Sequence, residues 1–241
     1  MGIYGFGDFY YGPSVDGDVI RDLPSNEWKQ GHFSKVPLLV DRNGYEGFYF
    51  SNQSELTTEG TTMDLQELFP YAKQSFFDRL YQLYPVDSFN STFWQRQTLF
   101  GDFIINCPTY EMATRAVNHN RNSSAVFKLT FAAGSEVHAS TVPFLASETT
   151  NWASANNHTL AEIMTSYWVS FAETYDPNPL RHPDAPFWPS YISGGDSTAA
   201  NGESVGFTVQ AVTYTTIRPG EDPDADAKCE FFGNNGYVVM N

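Results

Sequence analysis

Val36-Pro37-Leu38-Leu39-Val40-Asp41-Arg42-Asn43-Gly44-Tyr45-Glu46-Gly47 holds the first half of the pattern that organises this chain. It opens as a short apolar run, the pattern of a buried strand over residues 36–40. It closes in a turn that presents a glutamate followed by glycine. A second stretch repeats the design further on. Phe127-Lys128-Leu129-Thr130-Phe131 reads as part of a strand over residues 125–131, and the loop after it carries His138 in His138-Ala139-Ser140-Thr141-Val142-Pro143-Phe144.

An acid and then a histidine, each just past a strand, follow the order Ser…Asp/Glu…His of one type of catalytic triad. Histidine suits such work because its pKa lies near neutrality, so the ring can both accept and donate a proton. Alone, His138 is an ordinary loop histidine and Glu46 a turn glutamate. Their order, and their positions after strands, single them out. Only 45 residues precede Glu46, so the nucleophile is expected N-terminal to the present chain. One serine competes for that role: Gly202-Glu203-Ser204-Val205-Gly206 satisfies G-x-S-x-G. That motif works where a strand turns sharply into a helix. Here a Gly/Asn-rich loop precedes it, a β-rich run follows it, and it comes after both other members. Ser204 is rejected as nucleophile.

Between these stretches strands alternate with helices, which argues an α/β layered fold. A helix is expected from Asp64, with Glu67 as the partner in a capping box, to a stop at Pro85. A second helical segment is expected over residues 93–117, kinked at Cys107-Pro108. A third opens at the box Thr159-Leu160-Ala161-Glu162. It places Leu160, Ile163, Met164, Tyr167, Trp168, Phe171 and Tyr175 on one face and ends at Asp176-Pro177. Residues 207–214 are rich in Thr and Val and read as a strand. No internal repeat or inter-domain linker is evident.

Composition narrows the function. The 13 basic residues against 28 acidic ones leave a formal charge of −15. That charge repels phosphate backbones and anionic lipid, so nucleic acid is not an expected partner. No apolar run approaches the roughly 18 residues of a spanning helix. The start has neither a basic n-region nor an apolar h-region, so no signal peptide is read there. Yet four N-x-[ST] sequons, at Asn52, Asn90, Asn122 and Asn157, together with low Lys content and only two cysteines, point to an extracellular, glycosylated protein. An even cysteine pair in such a chain favours a disulfide. Asp222, Asp224 and Asp226 have the spacing that opens a calcium loop, but Ala227 and Gly233 stand where such a loop needs Gly and Glu. A solvated acidic loop is expected instead, with no metal or cofactor. His32, His119, His158 and His182 read as surface residues.

The chain resembles the C-terminal half of type-B carboxylesterases, the α/β-hydrolase group that includes cholinesterases and fungal lipases and esterases. Residues 13–24 resemble the pattern P-x-x-D-G-x-x-x…P, and Gly31 to Leu39 resembles G-x-F-x-x-V-P-L-L. Asn43 to Gly47 resembles N-x-D-E-G, whose glutamate is the triad acid. Gly101-Asp102-Phe103-Ile104-Ile105-Asn106-Cys107-Pro108 resembles G-D-x-x-F-x-C-P. His138 with Pro143-Phe144-Leu145 resembles the histidine motif. Trp168 to Asn178, Trp188-Pro189-Ser190-Tyr191 and Cys229-Glu230-Phe231-Phe232 complete the order. Three departures stand out: Tyr45 replaces an acid, Ala139 replaces Gly, and Thr141 replaces an acid.

The resemblance implies the C-terminal portion of an α/β-hydrolase fold over residues 1–241, an incomplete mixed sheet with packed helices. It implies a carboxylic ester hydrolase acting on small-molecule or lipid esters through a Ser-His-Glu triad. This chain would supply Glu46 and His138 and lack the serine, and alone it would be inactive. It also pairs Cys107 with Cys229. The alternative is a non-catalytic binding or adhesion module of the kind known among cholinesterase-like proteins. The aromatic surplus, 20 Phe and 14 Tyr, suits either a substrate gorge or an ordinary core.

Overall fold

The computed structural model describes residues 7, 14–54, 57–119, 125–145, 157–191 and 207–240. Contacts divide the chain into two compact units. One is Met1–His32, Tyr45–Glu111 and Asp224–Asn241; the other is Phe33–Gly44 and Met112–Pro223.

The second unit holds the sheet, four strands in the order β1 (Leu38–Asn43), β2 (Val126–Ala132), β3 (Thr208–Thr213) and β4 (Ile217–Glu221). β1, β2 and β3 are parallel neighbours, and β4 returns antiparallel on β3. The register pairs Asn43 with Phe131, so β1 and β2 finish side by side. β1 starts two residues later than the apolar run, after Pro37, which cannot donate to a sheet ladder; Val36 is exposed.

β4 has no signature in the sequence, because Ile217-Arg218-Pro219-Gly220-Glu221 carries no alternation and contains a proline. An edge strand tolerates both, and Pro219 pairs with Gln210 on the edge.

Phe127, Leu129 and Phe131 project to one face of β2, as the two-residue period requires. There they pack with Leu160, Ile163, Met164 and Tyr167 of the long helix His158–Thr174 and with Trp188. The cap of that helix is Asn157, whose Oδ1 accepts from Leu160 N at 3.1 Å, two residues before the expected Thr159. Tyr175 closes the helix in the left-handed conformation, at φ 61°, and is exposed, so it leaves the apolar face assigned to it.

On the β2 row that alternates with this face, Lys128 is fully buried. Its Nζ donates to both Asp222 oxygens, at 2.9 and 2.7 Å, and Tyr191 Oη donates to Asp222 at 3.0 Å. The acidic run is therefore not a solvated loop. Asp222 is a buried ion-pair partner, and Asp224 is buried.

In the first unit, a short helix α1 (Pro24–Gln30) comes first, and the helix expected over residues 64–84 is two helices, α2 (Thr58–Leu68) and α3 (Gln74–Leu83). Pro70 explains the break, since it disfavours a helical Phe69 and cannot donate a helix hydrogen bond; Phe69 has φ −119°. Thr57 caps α2 by accepting from Gly60 N, so Asp64 lies inside the helix, where it binds Arg96 Nε at 2.5 Å.

The kinked segment is α4 (Thr92–Gly101), a widened π turn over Asp102–Asn106, and α5 (Cys107–His119). The widening falls just before Pro108, which lacks the donor that residue 104's carbonyl would use. α7 (Ala227–Asn234), numbered with the long helix His158–Thr174 as α6, is capped by Asp226, which accepts from Lys228 N and Cys229 N. Asp222 and Asp226 thus have structural roles, and Asp224 between them is buried. A four-residue helix α8 (Gly236–Val239) follows.

Cys107 and Cys229 form a disulfide with Cα atoms 4.9 Å apart, joining the start of α5 to α7. Around it Phe69, Phe76, Phe77, Tyr84, Phe100 and Phe103 form the core. Much of the aromatic surplus is therefore packing.

Candidate active site

Glu46 belongs to the first unit. It lies three residues past β1, in consecutive turns, and is 2% exposed. The glycine after it is dictated by close approach. A Cβ on Gly47 would stand 1.9 Å from Gln97 O and 2.7 Å from Gly101 N. A Cβ on Gly101 would stand 2.8 Å from Gly47 N and 3.3 Å from Glu46 Cβ. Two glycines back to back let the end of α4 press on the Glu46 turn and hold the carboxylate's backbone. Gly101 was legible only as one letter of a motif, since its partner lies 54 positions earlier.

Half-buried and exposed aromatics surround this turn. The Tyr45 ring meets Trp94 edge-on at 5.2 Å, and Phe48 meets Phe93 at 5.3 Å. Tyr49 is 62% exposed. This cluster next to the acid went unassigned at the sequence level, because its members come from two segments more than forty positions apart.

His138 belongs to the second unit and is exposed, in the turn that follows β2. Glu136 and Ala139 on either side adopt positive φ, 59° and 68°. The second is the position where the resembled pattern has glycine, and an alanine there carries a Cβ that crowds its own carbonyl. The turn closes through Ser140 N to Val137 O at 2.9 Å and Val142 N to Ala139 O at 3.0 Å.

Thr141, which replaces the expected acid, is buried, and its hydroxyl donates to Asn43 Oδ1 at 2.9 Å. Asn43 is the last residue of β1. The loop that carries His138 is therefore tied to the strand end that leads into Glu46.

These features meet a known pattern. The sequence profile described as the carboxylesterase family matches residues 5–208. The chain belongs to the carboxylesterase family. Among relatives of this carboxylesterase-family chain, acetylcholinesterase 1 of Caenorhabditis elegans is 26% identical over 90% of the chain and 40% of its own length. Neuroligin-2 of Homo sapiens is 27% identical over 70% of the chain and 24% of its length. Secreted lipase 4 of Gibberella zeae is 26% identical over 77% and 35%. The chain thus spans two-fifths or less of these relatives. The crystal structure of Aspergillus niger EstA superposes with a TM-score of 0.81 at 17% identity, covering 97% of this chain and 46% of that one. The chain has the α/β-hydrolase kind of fold, with its mixed sheet and packed helices.

Of the sequons, Asn52 and Asn90 are exposed. Asn157 uses Oδ1 to cap α6 and Nδ2 to donate to Tyr214 O at 3.2 Å. Asn122 and Ser204 lie outside the described residues. Among the described residues no group of acids, histidines and cysteines has the arrangement of a metal site, and no helix is long and apolar enough to cross a membrane.

Proposed function

We propose that residues 1–241 are the C-terminal part of a type-B carboxylesterase domain that hydrolyses carboxylic esters, small-molecule or lipid, by acyl transfer. A serine from sequence N-terminal to this chain attacks the ester carbonyl. His138 takes its proton and hands it to the leaving alcohol. Glu46 accepts from the other ring nitrogen, fixing the tautomer and offsetting the imidazolium charge. In the second half, His138 takes a proton from water as the water oxygen bonds to the acyl carbonyl; the bond to the serine oxygen then breaks, His138 returns the proton to that oxygen, and the carboxylic acid leaves. No cofactor is required. The protein acts outside the cell, in line with a secreted lipase among its relatives, and among the described sequons Asn52 and Asn90 are the ones exposed for glycans.

One observation carries the assignment. β1 and β2 are parallel neighbours, and Thr141, in the loop that follows β2, donates to Asn43 at the end of β1. Glu46 and His138 each follow one of those strands. That order, an acid and then a histidine after neighbouring strands, is what supports the reading.

The experiment joins the chain to the coding sequence upstream of Met1 and exposes the product to a fluorophosphonate. A labelled serine, with ester turnover that falls by roughly 10³-fold or more in His138→Ala, is the expected result. The 241-residue chain alone is expected to stay at background. The similarity to neuroligin-2, as strong as that to the lipase, favours a second reading as a binding module. An unlabelled joined protein without turnover decides for that second reading.

A further inference from the structure

In the first unit a cleft of about 330 Å³ opens between the start of α3 and helices α7 and α8. Its floor is aromatic: the rings of Phe76 and Phe231 lie 4.9 Å apart. Val238 and Asn235 also line it, as does Tyr71, which is 74% exposed and has no ring partner among the described residues. Lys73 and Ser75 complete the lining, and both are exposed. Among the described residues no acid pairs with Lys73.

Two properties decide what fits. Ligand cavities run from roughly 300 to 1,000 Å³, so this one takes a single ring or a short acyl chain. A cleft of about 240 Å³ beside the β3–β4 turn falls below that range. The apolar floor favours a hydrocarbon body. The donor set at the rim, an ammonium and a hydroxyl, favours an anionic head. In a protein of charge −15, where most of the surface repels anions, an unpaired lysine lining an aromatic cleft is a local exception. We infer that this cleft binds a small carboxylate with an apolar body, of the arylalkanoate or short fatty-acid class, with its head on Lys73 and Ser75 and its tail on Phe76 and Phe231.

This binding does not depend on ester turnover, so it is tested with the 241-residue chain and a readout of occupancy. 3-Phenylpropionate and its uncharged isostere 3-phenylpropionamide are titrated separately into ¹⁵N-labelled protein. Saturable shifts confined to α3, α7 and α8 are expected, with the carboxylate binding about threefold to fivefold more tightly, the effect of one solvent-exposed ion pair. Lys73→Gln should bring the carboxylate to the amide's affinity and leave the amide unchanged. Tyr71→Ala should weaken both. Equal affinities in the unaltered chain, or a preference that survives Lys73→Gln, would overturn the assignment. So would the absence of saturable binding together with a dimer, seen by sedimentation, that Tyr71→Ala dissociates. In that case a second copy of the chain covers the cleft.

Discussion

Thr141 donates a 2.9 Å hydrogen bond to Asn43 across 98 residues of sequence, both side chains being buried. The bond anchors the loop of His138 to the end of β1. A neutral hydroxyl thus occupies the position where the family pattern has an acid. Thr141→Val keeps the shape of the side chain and removes the donor. Losing this bond to a buried amide should cost about 1–3 kcal/mol, read as a lower urea midpoint with an unchanged m-value. If the midpoint stays put, the bond is not holding the loop.

Ala139 offers the opposite test. Its φ of 68° places a Cβ where only glycine is comfortable. Ala139→Gly relieves about 1–2 kcal/mol of left-handed strain and returns part of it as chain entropy. A net gain of up to about 1 kcal/mol is expected in thermal or urea unfolding, and a loss would show that the alanine methyl packs usefully.

Lys128 and Asp222 form a fully buried ion pair between β2 and the residue that follows β4. Removing one partner leaves a charge in the core. Asp222→Ala should therefore cost about 3–5 kcal/mol, whereas Lys128→Met combined with Asp222→Leu should cost much less or nothing. A double-mutant cycle in urea measures the difference. Additive losses would mean that the two groups do not interact.

Asp102 sets a pH dependence. Burial pushes its carboxyl above the ordinary value, against hydrogen bonds from Asn106 and from Tyr84 Oη, the latter at 2.7 Å. A folded pKa raised above the unfolded one stabilises the fold below the unfolded value. That contribution fades as pH rises through the folded pKa. Asp102→Asn cannot ionise, so it should gain stability relative to the parent as pH climbs above the ordinary aspartate value of 3.8. Parallel unfolding curves of the two proteins across that range would contradict this.

Local sequence was enough for the strand and helix alternation, for the long helix with Leu160, Ile163, Met164 and Tyr167 on its buried side, and for the positions of Glu46 and His138 after strands. It misjudged the boundaries that depend on one residue's backbone chemistry. Pro70 split a helix whose apolar period runs through it, and Asn157 capped α6 ahead of a plausible Thr-x-x-Glu box. It also misjudged Asp222, because charge in sequence looks solvated until a partner such as Lys128, 94 residues away, is known.

Periodicity, capping residues and motif order are short-range properties, and the residues themselves carry them. They determined an α/β chain of the carboxylesterase family with an acid and a histidine in sequence. The tertiary structure alone decided that Gly101 abuts the Glu46 turn, that Thr141 bonds Asn43, and that an aromatic cleft is left open beside Lys73. Those facts depend on distances between segments far apart in the chain, and no local propensity encodes such distances.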